Sequence, residues 1–204
     1  IGNHFSMQLV GTAAPVIKRD GYWDATRLPW MATGYNLQLP VVNTLTLYNA
    51  IANNGKMVEP RLVKEVRRGE DVIERIPVKV VNEQICSEKT LKDVQYMLEQ
   101  VVSRGLAKDA RSEHFKSAGK TGTAQMGYGG SGRTTHMVSF CGYFPADNPQ
   151  YTCIVSIRTS PEMGGAASGG GMAGPVFCEI SEKIMATKLF KDVEMAIDSS
   201  LYVA

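Results

Sequence analysis

Nowhere in the 204 residues does an apolar run approach the roughly 20 residues that span a bilayer. The N-terminus also lacks a charged, apolar and small-residue signal pattern. The chain opens at Ile1-Gly2-Asn3 without methionine, which fits a piece of a longer polypeptide whose localisation is set elsewhere. Cysteine is sparse. Cys86, Cys141, Cys153 and Cys178 show neither CxxC spacing nor the density of a disulfide scaffold. His4, His114 and His136 are far apart, so no metal centre is expected. Charge of one sign is missing too: 22 basic and 20 acidic residues are interspersed and leave a net charge of +2. That balance excludes a basic nucleic-acid surface. Lys64, Arg67 and Arg68 form the densest basic group and read as a solvated hairpin face. There is no internal repeat and no low-complexity linker.

What remains is 44% hydrophobic, enough for one domain with a core or a large piece of one. Residues 1–38 read as an irregular packed segment punctuated by Pro15, Gly21, Pro29 and Gly34, with Trp23 and Trp30 close together. Val41, Val42, Leu45, Tyr48, Ile51 and Ala52 recur at helical spacing between Pro40 and Gly55. Residues 61–67 and 72–81 flank a charged turn and predict an exposed hairpin. A second helix starts at Ser87, a good N-cap, and runs to Gly105, which suits a C′ position. Residues 115–125, 135–144 and 151–159 predict three successive antiparallel strands. Pro175 opens a closing helix to about Leu189, with Val176, Ile180, Ile184 and Leu189 on one face. The fold class is therefore α+β, an antiparallel sheet packed with helices. Cys141 and Cys153 fall on neighbouring strands, so a cross-strand bridge is conceivable beside the simpler reading as small core residues.

The stretch with chemistry in it is Lys120-Thr121-Gly122-Thr123-Ala124-Gln125. On a strand, Lys120 and Gly122 face one way while Thr121 and Thr123 face the other. A cation, two hydroxyls and a missing side chain at this spacing can take an extended ligand and hold its carboxylate. Two other patterns read as decoys. Gly169-x-Gly171-x-x-Gly174 mimics a dinucleotide fingerprint, but Asp192 and Glu194 beyond it sit in a polar tail with no strand pattern. It reads as a mobile glycine-rich connection, and no cofactor is expected. Ser117-Ala118-Gly119-Lys120 has the spacing of a serine nucleophile and lysine base. On a strand, an odd separation points the two in opposite directions.

Lys120-Thr121-Gly122-Thr123-Ala124-Gln125 resembles the third signature motif of penicillin-binding proteins. Residues 48–56, Tyr-Asn-Ala-Ile-Ala-Asn-Asn-Gly-Lys, with Pro60-Arg61-Leu62-Val63, resemble the helix and strand preceding that motif in class B transpeptidases. Gly142-Tyr143-Phe144-Pro145-Ala146 resembles the strand after it, and Tyr22-Trp23 with Leu28-Pro29-Trp30 is similar to cell-division members of Bacteroidetes type. The likeness implies a partial transpeptidase (serine β-lactamase-like) fold, with residues 1–204 as the C-terminal part of one domain. The SxxK nucleophile and SxN motif, expected upstream, are absent.

By resemblance the parent reaction is D,D-transpeptidation of peptidoglycan stem peptides, inhibited by β-lactams. Lys120 would polarise a relay serine, Thr121 and Thr123 would bind the donor carboxylate, the Thr123 N–H would form half of an oxyanion hole, and Gln125 would line the acceptor side. Gly122 would keep the strand bare for the ligand. The resemblance also implies the periplasmic face of the inner membrane, an upstream anchor, and division or elongation partners. The alternatives are a noncatalytic interaction module, or a carboxypeptidase, β-lactam sensor or β-lactamase sharing the motif. The missing strands would leave the edge at residues 151–159 bare, so self-association is expected.

Without a serine set beside a lysine base on a helix, the chain alone should form no stable penicilloyl adduct. Intact-mass measurement after incubation with a labelled penicillin checks this, and an adduct on Ser117 contradicts it.

Overall fold

The computed structural model describes residues 2, 4–5, 11–17, 24–126, 135–159 and 167–201, with only the backbone described at 190 and 193–201. The chain divides into two compact units, residues 1–92 and 93–204. Tyr22, Trp23 and the loop start at 164–166 lie outside the described residues.

In the first unit, β1 (Val16–Ile17) pairs antiparallel with β2 (Leu37–Gln38), and α1 (Arg27–Ala32) lies between them in sequence. This segment is less packed than expected. No residue of α1 is buried, and Trp30 is 46% exposed, its ring edge-on to Tyr35 at 5.1 Å. Helix α2 (Val41–Ala52) begins at Pro40 as expected. Asn54 and Gly55 stop it in left-handed backbone, with φ of 51° and 88°. Its buried side chains are Asn43, Thr46, Ala50 and Ile51, whereas Val41 is 48% exposed. Ile51 is thus buried as expected, but the rest of the buried stripe consists of smaller side chains, Asn43, Thr46 and Ala50, that permit close approach.

The predicted hairpin forms between β4 (Glu65–Arg68) and β5 (Asp71–Arg75). Its second arm is shorter than expected. Pro77 has no N–H for a ladder, and the chain beyond it becomes β6 (Val80–Asn82), which pairs with β3 (Met57–Val58) instead. Arg67 pairs with Glu65 at 2.6 Å, on an exposed face where such pairs contribute little.

Helix α3 (Glu88–Ser103) starts as predicted, the Ser87 hydroxyl accepting the Thr90 N–H at 3.2 Å. Gly105 serves differently from a left-handed C′ residue. Its N–H reaches the Gln100 carbonyl at 2.9 Å, and a Cβ there would lie 2.8 Å from the Val101 carbonyl oxygen. Close approach is what demands glycine.

The second unit is built on β7 (Ala118–Met126), β8 (Thr135–Phe144) and β9 (Tyr151–Arg158), antiparallel in the order β7-β8-β9. Their alternation sends Val138, Phe140 and Phe144 with Cys153, Val155 and Ile157 to one face. Helix α4 (Gly174–Leu201) covers that face through Phe177, whose ring lies 4.6 Å from Phe140 and 5.6 Å from Phe144. Val102, Ala107, Ala110 and Ala173 complete the core. Among the described side chains of α4, Gly174, Phe177 and Ser181 are buried and Ile184 packs partly buried on the core, while Val176 is 40% and Leu189 66% exposed. The expected face is therefore rotated, because one aromatic side chain between two others sets the helix orientation. The helix also continues past its expected end near Leu189 through Asp192 and Glu194.

Cys141 stands opposite Ile154 and Cys153 opposite Gly142, so the two thiols point to opposite faces. All four cysteines are free. Burial, with a smaller contribution from Cys153, pushes the Cys141 thiol well above its ordinary range. Burial, then the nearby Glu99 carboxylate, pushes the Tyr143 phenol up to about 12. Both acids ionise more readily in the unfolded chain. Their stabilising contribution is complete below the ordinary thiol and phenol ranges and is lost as pH rises through the folded values. The urea midpoint should fall from about pH 9 upward, and Tyr143→Phe should soften the decline near about pH 11. A Tyr143→Phe profile that overlays the parent's overturns this account.

Candidate active site

Strand β7 is an edge strand among the described residues, paired through Lys120↔Cys141, Thr121↔Phe140, Gly122↔Ser139 and Thr123↔Val138. The predicted alternation holds: Thr121 and Thr123 share the face of Phe140 and Val138, and Lys120 and Gly122 share the other. Lys120 is exposed, and its ammonium folds over the strand to the Thr121 carbonyl at 2.8 Å and the Thr121 hydroxyl at 3.2 Å. The gap at Gly122 is floored by Ser139, whose Oγ would lie 2.6 Å from any added Cβ. Gln125 lies farther along β7, half-buried opposite His136. The ammonium and two threonine hydroxyls are thus gathered within four residues at a strand edge.

Ser117 does not join them. It is buried, and its hydroxyl donates to the Ala110 carbonyl at 3.1 Å, while the Lys120 ammonium bonds to Thr121. The serine–lysine spacing is a coincidence of sequence.

The glycine-rich connection is not loose, as its composition implied. Gly169–Ala173 forms a single π-helical turn against the sheet, and Gly169 and Gly170 are buried. A Cβ at Gly169 would come within 2.5 Å of the Ser139 carbonyl oxygen and 2.6 Å of that of Gly122. The glycines permit backbone to lie on backbone, and the Gly169 N–H donates to the Thr123 hydroxyl at 3.4 Å. A glycine run immediately before an amphipathic helix was the available signal for this contact. The pairing of Ser139 under Gly122 required the register of β8, which spacing alone does not supply.

An edge strand offering a cation and two hydroxyls beside unpaired backbone is the class of site that holds an extended, carboxylate-bearing peptide. The fold matches that of solved penicillin-binding proteins. A crystal structure of penicillin-binding protein 3 from Mycobacterium tuberculosis, complexed with aztreonam, matches 92% of this chain and 44% of its own length, with TM-score 0.77 and 26% identity. The description "Penicillin binding protein transpeptidase domain" matches residues 1–182, and the chain belongs to that family. Curated relatives place it among class B members. Stage V sporulation protein D of Bacillus subtilis is 31% identical over 150 residues, covering 71% of this chain and 22% of that protein. The peptidoglycan D,D-transpeptidase FtsI homologue of Mesostigma viride is 27% identical over 169 residues, covering 76% of this chain and 28% of that protein. The chain thus spans about a quarter of these relatives.

Proposed function

We propose that this chain is the C-terminal part of the catalytic domain of a peptidoglycan D,D-transpeptidase and supplies the strand that binds the donor peptide. The observation carrying this reading is the gathering of Lys120, Thr121 and Thr123 at the free edge of β7. A serine from the front of the domain attacks the carbonyl of the D-Ala-D-Ala bond and its proton passes to a base. The tetrahedral intermediate collapses and D-alanine leaves as the amine, taking up that proton; the amine of a second stem peptide then attacks the acyl-serine ester, forming the new amide and releasing the serine, whose hydroxyl regains a proton from that amine. Lys120 supplies positive potential and polarises a relay serine. Thr121 and Thr123 donate hydrogen bonds to the donor carboxylate, and Gly122 leaves its backbone room to approach. The Thr123 N–H contributes half of the oxyanion hole, a contribution of about 3 kcal/mol in comparable sites. Gln125 lines the acceptor side. β-Lactams enter as imitations of the donor. This function places the parent at the periplasmic face of the inner membrane, held by an upstream anchor and working with division or elongation proteins.

Lys120 is exposed, so its removal costs the core little. In the full-length protein, Lys120→Ala should slow acylation by a penicillin by about two orders of magnitude and shift the melting temperature by no more than a few degrees. Unchanged acylation, or a loss that tracks unfolding, contradicts the assignment.

We also propose that the isolated chain self-associates through β9, which among the described residues pairs only with β8. Cys153, Ile154, Val155 and Ile157 make it a largely apolar strand without proline. Light scattering across a dilution series should show mass rising with concentration; a monomer at high concentration rejects the idea.

A further inference from the structure

We propose that the glycine turn of residues 169–173 is a positioning element of the β7 site, setting the Thr123 hydroxyl as a proton donor toward a bound carboxylate, beside the Thr121 hydroxyl that Lys120 sets. This rests on the carboxylate-binding reading of β7 and deepens it.

A threonine hydroxyl has one proton to donate and two lone pairs with which to accept. The Gly169 N–H donates to Thr123 Oγ1 at 3.4 Å, and Lys120 Nζ donates to Thr121 Oγ1 at 3.2 Å. Neither nitrogen can accept in return. Each hydroxyl therefore has a lone pair engaged from within the protein and its proton left for an acceptor outside. With an ammonium beside them, the acceptor these two protons suit best is an anion with two oxygens.

The Thr121 methyl lies on the side of Gly170, while its hydroxyl lies toward Lys120, whose ammonium engages the oxygen. In a β-branched residue one χ1 choice fixes both groups, so the lysine that orients the hydroxyl also sets the methyl.

The turn itself is held on several sides. Ser168 closes it, Oγ accepting the Gly171 N–H at 3.3 Å and the carbonyl accepting the Met172 N–H at 3.0 Å. Gly169 rests on the Gly122 and Ser139 backbones, and Gly170 rests on the Leu106 carbonyl. Gly174, at the start of α4, fits against the Ala110 backbone. Phe177, one helical turn farther on, locks α4 to the sheet.

The test uses the full-length protein and compares acylation by benzylpenicillin with acylation by its carboxylate methyl ester. Gly169→Ala presses a methyl on two backbone carbonyls, so Ser168→Ala, which removes the cap and adds no atoms, is measured beside it. Ser168→Ala should slow the free acid by roughly tenfold or more and leave the ester rate within about twofold, reproducing the selectivity loss of Thr123→Val. Adding Ser168→Ala to Thr123→Val should then cost little more, because both act on one hydroxyl. Equal slowing of acid and ester by Ser168→Ala overturns the proposal and leaves the turn a merely structural element. Should Thr123→Val erase the acid–ester difference while Ser168→Ala preserves it, positioning alone fails. Should Thr123→Val preserve that difference, the carboxylate reading fails and the proposal with it.

Discussion

The contact on which the second unit depends is the Phe177 ring set against Phe140 and Phe144. Two of these rings stand four residues apart on β8, an even separation, and so project from one face of the sheet. The third comes from the first turn of α4. Edge-to-face rings at these separations contribute about 1 kcal/mol beyond the area they bury. Their larger effect is geometric, because a planar side chain held between two others fixes both the rotation of its helix and the height at which the helix starts. Ala173, about one helical turn before Phe177, is buried in the same core, and Gly174 beside it packs on the Ala110 backbone. The turn at residues 169–173 inherits its place from this contact and, through the turn, so does the edge of β7.

That inheritance explains why glycine recurs in the turn. Once Phe177 has set the height of α4, the backbone just ahead of it crosses β7 and β8 with almost no clearance. At Gly169 an added carbon would lie 2.5 Å from a carbonyl oxygen, and at Gly170 it would lie 2.2 Å from the Leu106 carbonyl oxygen. Side chains are excluded by the same closeness that lets a backbone N–H reach Thr123. Packing and hydrogen bonding at the site are thus two results of one distance, and neither can be altered alone.

These relations mark the limit of what the chain reveals before it is folded. The three strands of the sheet were legible because β-branched and aromatic runs alternate between clear turns, and the Ser87 cap was legible because capping is local. The face of α4 was not. Val176 and Ile180 satisfy a helical period as well as Phe177 and Ser181 do, and only the two phenylalanines on β8 decide between them. The buried stripe of α2 was legible only in part, at Ile51, since Asn43, Thr46 and Ala50 beside it are chosen by size and not by hydropathy. At the site, the alternation of Lys120 and Gly122 against Thr121 and Thr123 could be read from period alone. The partners of those side chains could not, because Ser139 and Gly169 reach them only through strand register and a turn 46 residues away from Thr123.

The two edges of the sheet also differ in kind. An edge strand presents unpaired N–H and C=O groups that will pair with any extended chain unless something guards them. On β7, Lys120 is such a guard: its ammonium satisfies the Thr121 carbonyl, and its charge opposes burial against another strand. β9 carries only Arg158 at its far end, with Cys153 to Ile157 between. Under the function proposed above, the same lysine that deters indiscriminate pairing along β7 attracts a ligand bearing a carboxylate, since such a ligand brings its own counter-charge to the ammonium. On that proposal a protected edge and a selective edge are one arrangement, set by a single charge.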